Sequence, residues 1–248
     1  MNLARITGQN GDQYANRSDQ KDIPLGTIME IPGIGELVYA KVGALDIATG
    51  LVVQQAVVTT GHTKDLAVAS AAAAGATTVT ITNATTAITA NMYKEGWLFV
   101  NSAAGAGYAY RIKSHPAEST GSGSCVITLE DEYALRVALT TASKVGLRKH
   151  KCDGLLVAPI SFTGVVVGVT VRAVTATYYC WLLKKGNGAV LTNGTVVVGK
   201  AVNRGETTPG SVDVYPLNSV DTSGQQPQLG FVQSVGASTE YSLVDFNI

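Results

Sequence analysis

Short apolar segments alternate with turn residues along most of the chain. The pattern is clearest in Thr77–Thr82, where Val79 and Ile81 share one face of an extended strand and threonines occupy the other. A period of two predicts a strand with one face in the core and the other toward solvent. Comparable segments predict further strands at Leu25–Ile31, Glu36–Val42, Gly50–Thr60, Gly96–Asn101, Tyr108–Ser114, Cys125–Leu129, Gly164–Val174, Thr177–Lys184, Thr195–Ala201, Ser211–Tyr215, Gln228–Val235 and Tyr241–Ile248.

The segment Thr177–Lys184 differs from the others because both of its faces are apolar. A strand of this kind is typical of the centre of a sheet that is covered on both sides. Gly186-Asn187-Gly188 then predicts a tight turn. Asn193-Gly194 predicts a second turn, because these residues favour the primed turns of β-hairpins.

Helical patterns are scarce. Asp65–Ala74 is rich in alanine, the best helix former, and predicts one short helix, whereas Asp131–Leu139 fits either a helix or a strand. Strands and helices do not alternate in the way that a parallel α/β fold requires. We therefore predict an all-β protein of antiparallel β-sandwich or barrel modules, with an extended N-terminal arm and little helix.

Length and local polarity predict how the chain is divided. Its 248 residues suit one large β domain or two small ones. Residues 1–22 are polar and show no periodicity, so we expect an extended arm that becomes ordered only where it lies on another surface. Residues 23–60 and 151–248 are assigned to a main β domain, and residues 61–150 to an inserted second β module.

Charge and hydrophobicity exclude several classes of partner. Eighteen basic residues balance eighteen acidic ones, and charged residues make up only 15% of the chain. Because no segment forms a basic stripe, we predict no nucleic-acid partner. No stretch approaches the roughly 20 strongly apolar residues of a membrane span, so we predict no membrane partner. The N-terminus lacks the apolar core of a secretion signal, and we expect synthesis in the cytoplasm.

Residue types that carry chemistry are present but scattered. His62, His115 and His150 lie far apart and have no neighbours at the spacing of a structural zinc site. The acidic run Glu130-Asp131-Glu132 could hold calcium, but its side chains would alternate between strand faces, and we favour a solvated turn. The three widely spaced cysteines predict reduced thiols. We therefore predict no metal, no cofactor, no catalytic residue and no enzymatic activity.

A series of strand and turn segments follows in a characteristic order: Ile23–Met29, Ala71–Thr82, Asn91–Val100, Gly107–Ile112, Val126–Glu130, Ala134-Leu135, Tyr179-Cys180-Trp181, Gly186 and Gln228–Val232. This order resembles that of the capsid decoration, or cement, proteins of tailed bacteriophages. The resemblance covers most of the chain and contains no catalytic motif.

The resemblance implies a structural protein that binds the major capsid protein on the outside of the virion, usually as a homotrimer at local three-fold positions. Symmetric copies present the same patch at each interface, and many weak contacts then act together. Such a protein is made in the host cytoplasm. We expect the polar arm to make the capsid contact, through Asn10, Asp12, Tyr14, Arg17, Asp19 and Lys21.

Two other functions fit the same residues. A head-fibre or spike module that binds receptors or glycans would stack sugars on Trp97, Tyr178, Tyr179 and Trp181, although the last three more often belong to a core strand. A depolymerase would need a pair of carboxylates in a cleft, for which Glu130-Asp131-Glu132 is the available cluster. We favour capsid decoration over both.

Overall fold

The computed structural model describes residues 5–83, 86–119, 123–161, 163–214 and 227–248. These residues are almost entirely extended, and the helices among them are two single 3-10 turns, at Asp12–Tyr14 and Asp131–Tyr133. In chain order the strands are β1 Arg5–Thr7, β2 Ile28–Ile31, β3 Gly35–Val42, β4 Val52–Gln54, β5 Leu66–Ala67, β6 Thr78–Thr82, β7 Trp97–Ser102, β8 Ala109–Ser114, β9 Ser124–Leu129, β10 Lys144–Arg148, β11 Asp153–Val157, β12 Val166–Thr170, β13 Tyr179–Leu191, β14 Ala201–Arg204, β15 Val212–Val214, β16 Gly230–Ser234 and β17 Tyr241–Asn247.

The predicted all-β class is confirmed. The chain forms two compact units. Unit 1 contains Met1–Ala56 and Lys151–Ile248, and unit 2 contains Val57–His150. No helix within the described ranges has the length and hydrophobicity to span a lipid bilayer.

Five strands of unit 1 form a closed ring of hydrogen-bonded pairs. β3 pairs with β11, β11 with β4, β4 with β12, β12 with β13, and β13 returns to β3. Only the β3–β11 pair of this ring is parallel. Closing a sheet on itself removes unpaired strand edges, which would otherwise attract other chains.

The strand β13 belongs both to the ring and to a sheet that extends beyond it. Its first half pairs with β3 and β12, and Lys185–Leu191 pairs with β17. The sheet then continues through β16, β14 and β15, while β2 and β1 add to the outer side of β3. A single strand of 13 residues therefore belongs to both the ring and the sheet that extends from it.

The first half of β13 is the centre of the unit 1 core. Cys180, Trp181, Leu182 and Leu183 are all buried, although they point alternately to opposite faces. This confirms the prediction of a strand that is covered on both sides. Among the largest fully buried side chains that surround it are Tyr39, Met29, Ile31, Leu37, Ile47 and Phe246.

The prediction of a tight turn at Gly186-Asn187-Gly188 is wrong, because these residues continue β13. The pairing of β13 with β3 shifts register between Leu183 and Lys185, and Gly186 adopts a φ of 111° immediately afterwards. A Cβ atom on Gly186 would collide with the carbonyl oxygen of Ile34. The glycines therefore permit a close approach of two strands next to a bulge rather than a reversal of the chain.

Three further local predictions are wrong. Asn193-Gly194 is a bend whose backbone amides bond Val212 and Ser238, and it does not connect a hairpin. Most of the predicted strand Thr195–Ala201 is irregular, and strand β14 begins at its last residue. The predicted helix at Asp65–Ala74 is instead the short strand β5 followed by irregular chain. Alanine propensity is weak compared with barrel pairing, which takes up this segment.

Unit 2 is a six-stranded antiparallel sheet in the order β5, β10, β7, β8, β9, β6. A bridge between Val68 and Ile81 joins its two ends, and the Ala69 amide donates to the Thr80 carbonyl at 2.8 Å. The sheet is thus nearly closed as a small barrel. Inward-facing side chains fill it, as expected for a barrel of this size. The fully buried ones include Val79, Ile81, Leu98, Ile112, Cys125, Ile127, Leu129 and Val145.

Substituting Gly186→Ala tests the close approach of β13 and β3. We expect the variant to lose more than about 3 kcal/mol of unfolding free energy, from left-handed strain plus a backbone collision. The matched control is Gly11→Ala, because Gly11 has a φ of 112° and open space around its Cβ position. This control should lose about 1–2 kcal/mol, from the strain alone. If urea unfolding gave equal losses of unfolding free energy for the two variants, the close approach of β13 and β3 would not account for the cost of Gly186→Ala.

Candidate functional site

The N-terminal segment, residues 5–22, lies on the sheet of unit 1. β1 pairs in parallel with β2, and Arg17 and Tyr179 exchange two backbone hydrogen bonds of 2.9 and 2.7 Å. The Asn16 side-chain amide donates to the Ala173 carbonyl at 2.7 Å, and Arg172 Nη1 donates to the Tyr14 carbonyl at 2.9 Å. Residues 5–22 of the predicted arm are therefore held along their own unit by backbone and side-chain bonds, and residues 1–4 lie outside the described residues.

The 3-10 turn in this segment is anchored by one buried amide. Gln13 is only 4% exposed. Its Oε1 accepts a hydrogen bond from the Gly11 amide at 2.7 Å, and its Nε2 donates to Asn10 Oδ1 at 3.1 Å. With Gln13 turned inward, the flanking Asp12 and Tyr14 point toward solvent.

The six residues predicted to contact the capsid are mostly accessible. Asn10, Asp12, Tyr14, Asp19 and Lys21 are exposed, and Arg17 is half-buried. Tyr14 is the largest exposed apolar side chain among them, at 47%. Asn10 and Tyr14 line one cavity, whereas the other four lie outside it. The structure therefore brings two of the six predicted residues together.

That cavity has a volume of about 330 Å³ and lies between the segment and β13. Besides Asn10 and Tyr14, its walls include Asn187 and the β2–β3 turn at Gly33-Ile34. None of its lining residues is charged. A group that enters it must therefore be recognised by shape and by neutral hydrogen bonds.

A second concavity, of about 620 Å³, adjoins the first and shares Gly33 and Ile34 with it. Its walls carry charge, with Glu30, Glu36 and Asp245 opposing Lys185. The two concavities thus flank the β2–β3 turn. We refer to the lining residues of both as the hairpin surface.

An exposed apolar face continues from the hairpin surface. Phe231 lines the second concavity and is 50% exposed, Tyr241 is 51% exposed, and Leu243 is 39% exposed. They alternate with the buried Val232 and Val244 on β16 and β17, so strand geometry places them on the outer side of the sheet. Exposed apolar patches of this kind are typical of interaction sites.

Of the four aromatic residues considered for sugar stacking, Trp97 lies in unit 2, where its ring packs edge-on against that of Tyr133. The other three belong to the core of unit 1 or pack against it. Trp181 is only 5% exposed, and its ring centroid lies 4.9 Å from that of Tyr39. Tyr178 and Tyr179 are half-buried against the same core. Trp181 therefore has no face on which a sugar ring could stack, and the core-strand interpretation of this segment is correct.

The acidic run Glu130-Asp131-Glu132 and the cysteines form no site for a metal among the described residues. Glu130 lies 3.7 Å from Arg111, and Asp131 lies 3.3 Å from Lys113, so each of these carboxylates faces a cation. No cluster of three His, Cys, Asp or Glu side chains suited to a metal occurs in the part of the chain that the structure describes. All three cysteines are buried thiols that form no disulfide, and burial raises the pKa of both Cys152 and Cys180 to about 12.

Two histidines that are distant in sequence meet in unit 2 through a tyrosine. The hydroxyl of the buried Tyr93 bonds His62 Nδ1 at 2.6 Å, and the Tyr93 backbone amide donates to His115 Nε2 at 3.0 Å. His62 Nε2 bonds the Thr86 carbonyl at 2.9 Å, and His115 Nδ1 bonds the Pro116 carbonyl at 2.9 Å. This network ties four loop segments together, and nothing in the histidine spacing indicated it.

The network requires His115 to be neutral. Its Nε2 accepts a hydrogen bond from an amide, so the ring proton must be on Nδ1, where it is donated to Pro116. If Nε2 were protonated, its N–H group would face the N–H group of the Tyr93 backbone, and the hydrogen bond between them would be lost. Burial lowers the pKa of His115 below its ordinary value of 6.5, and the neighbouring His62 lowers it further.

No protein-family model, curated protein or solved structure matches this chain. The function of the chain must therefore be argued from its surfaces and from the arrangement of its side chains.

The His115 network makes unit 2 sensitive to acid. The pKa of His115 is lower in the folded protein than in the unfolded chain. The contribution of neutral His115 to stability is therefore complete above pH 6.5, and it is lost as the pH falls from 6.5 toward the pKa of His115 in the folded protein. We expect the unfolding free energy of unit 2 to fall by up to about 1.4 kcal/mol per pH unit in this range. His115→Gln should be less stable at pH 7.5 and should show a shallower pH slope in urea unfolding. An unchanged slope would show that His115 does not cause the acid sensitivity.

Proposed function

We propose that this chain is a structural protein of a phage head, which binds the major capsid protein on the outer surface of the shell and stabilises it as a decoration protein. The observation that carries the proposal is the hairpin surface, where the anchored N-terminal segment presents Asn10 and Tyr14 beside an open, uncharged cavity. The resemblance of the element order to phage cement proteins supplies the identity of the partner.

The physical properties of this surface suit a stable protein–protein contact. Tyrosine is enriched among residues that dominate binding energy, because it has a large rigid area and a polar tip. The exposed Phe231, Tyr241 and Leu243 extend the apolar area beyond the cavity. The charged second concavity would fix the orientation of a partner more than it would raise affinity.

Self-association is the second part of the proposal. A trimer places three copies of the hairpin surface on one symmetric shell site, so that weak individual contacts act together. Each copy can then contact a different capsid subunit. This arrangement would join neighbouring subunits, which is how a surface protein strengthens a shell.

The proposal predicts binding of the purified protein to expanded empty capsids of the phage that encodes it. Wild-type protein should saturate the shells at one trimer per local three-fold position, and native mass measurement of the free protein should give the trimer. Tyr14→Ala should weaken binding at least tenfold, because loss of a central aromatic contact costs about 2 kcal/mol.

The control for this experiment is Tyr108→Ala, which removes an equally accessible tyrosine from unit 2; Tyr108 is 43% exposed. This variant should bind capsids as the wild type does. Co-purification of the protein with tails and not with capsids would overturn the proposal. Binding that is insensitive to Tyr14→Ala would refute the assignment of the hairpin surface.

A further inference from the structure

Unit 2 has a concave aromatic site that the capsid proposal does not use. A cavity of about 410 Å³ lies between the start of β8 and the 3-10 turn that follows β9, and three of its lining residues are Tyr108, Tyr110 and Tyr133. Its other polar residues are Glu132 and Arg136. Ligand pockets of this size occur at the ends of β-barrels, with aromatic walls and a few convergent polar groups.

The position of Tyr108 is fixed by the turn that precedes it. Its carbonyl accepts a hydrogen bond from the Val100 amide at 2.9 Å, and its amide donates to the Gly105 carbonyl at 3.2 Å. Its ring is nearly parallel to that of Tyr110, at 10° with the centroids 6.3 Å apart. Because Tyr108 remains 43% exposed, it presents an oriented aromatic surface to the cavity.

The ring of Tyr133 is held from the opposite side. It packs edge-on against Trp97 with the centroids 6.3 Å apart. Arg111 lies over the Trp97 ring at 5.4 Å and reaches Glu130 at 3.7 Å, and both charged side chains are mostly buried. This succession of contacts fixes the second aromatic wall before any ligand binds, which reduces the ordering cost of binding.

The polar groups of the cavity suit a ligand rich in hydroxyls. The Arg136 backbone amide donates to the Tyr110 hydroxyl at 3.3 Å, which leaves the hydroxyl hydrogen of Tyr110 for an acceptor. Glu132 can accept hydrogen bonds, and Arg136 can donate them. Their opposite charges cancel, so the cavity as a whole favours a ligand without net charge.

We propose that this cavity is a binding site for a neutral pyranose sugar of an oligosaccharide. The apolar C–H face of the sugar stacks on Tyr108, while its hydroxyls bond Glu132, Arg136 and Tyr110. The stacking residues differ from the Tyr178-Tyr179-Trp181 segment of unit 1, in which Trp181 is buried and the two tyrosines are half-buried against the core. The site is independent of the hairpin surface, since the residues of the two belong to different units.

Saturation-transfer NMR on the full chain tests the site. The probes are maltohexaose, cellohexaose, N-acetylated chitohexaose and oligosaccharides of mannose, galactose and rhamnose, with sialyllactose as an anionic comparison. At least one neutral probe should show saturable transfer. Tyr108→Ala should weaken its binding at least tenfold, and Glu132→Gln, which keeps the shape of the side chain, at least threefold.

The matched control is Tyr241→Ala, which removes a tyrosine of similar exposure, 51%, from unit 1 and should leave binding within twofold of wild type. The absence of saturable transfer from every neutral probe would overturn the proposal. Transfer from sialyllactose alone, or binding that Tyr108→Ala leaves unchanged, would also overturn it. Because Tyr14→Ala tests capsid binding and Tyr108→Ala tests sugar binding, failure of one proposal leaves the other measurable.

Discussion

The pairing of β13 with β3 is the contact on which the architecture of unit 1 depends. β13 closes the five-stranded ring with its first half and supports the outer sheet with its second. The strand passes from the ring to the outer sheet where Gly186 faces Gly35. Both positions require glycine, because a side chain on either would collide with the opposite backbone. The β2–β3 turn beside this contact carries Gly33 and Ile34, so the hairpin surface depends on the same close approach.

Unit 2 depends on a different kind of contact. The strands of its barrel are joined by backbone bonds, but the loops at one end are joined by the buried Tyr93 and the two histidines on either side of it. A buried polar network stabilises only when each member is bonded, because an unpaired member incurs the full desolvation penalty. The neutrality of His115 is therefore a condition of the packing in unit 2, and acid acts on that unit through it.

Local periodicity predicted the strands well where one face is buried and the other is solvated. Thr77–Thr82 and Tyr241–Ile248 both match strands almost to the residue, because side chains alternate strictly between core and water. Glycine-rich segments were ambiguous, because the same residues favour tight turns and close approaches between strands. Gly186-Asn187-Gly188 has the composition of a turn, but Gly186 permits a close approach within a strand. The His62–Tyr93–His115 network and the Tyr108–Tyr133 cavity depend on contacts between distant segments, and a single sequence contains no periodic pattern for such contacts.

The anchoring of the N-terminal segment affects how the proposed capsid contact would form. An arm that becomes ordered only on contact would lose conformational entropy at that step, which lowers its affinity per unit of buried area. In this chain, the segment is already fixed by β1 pairing, by the Arg17–Tyr179 bonds and by the burial of Gln13. A contact through Tyr14 then needs little further ordering, so a small surface can hold a partner firmly. Rigid presentation of a few side chains, rather than a flexible grip, is the mode of attachment that this fold supports.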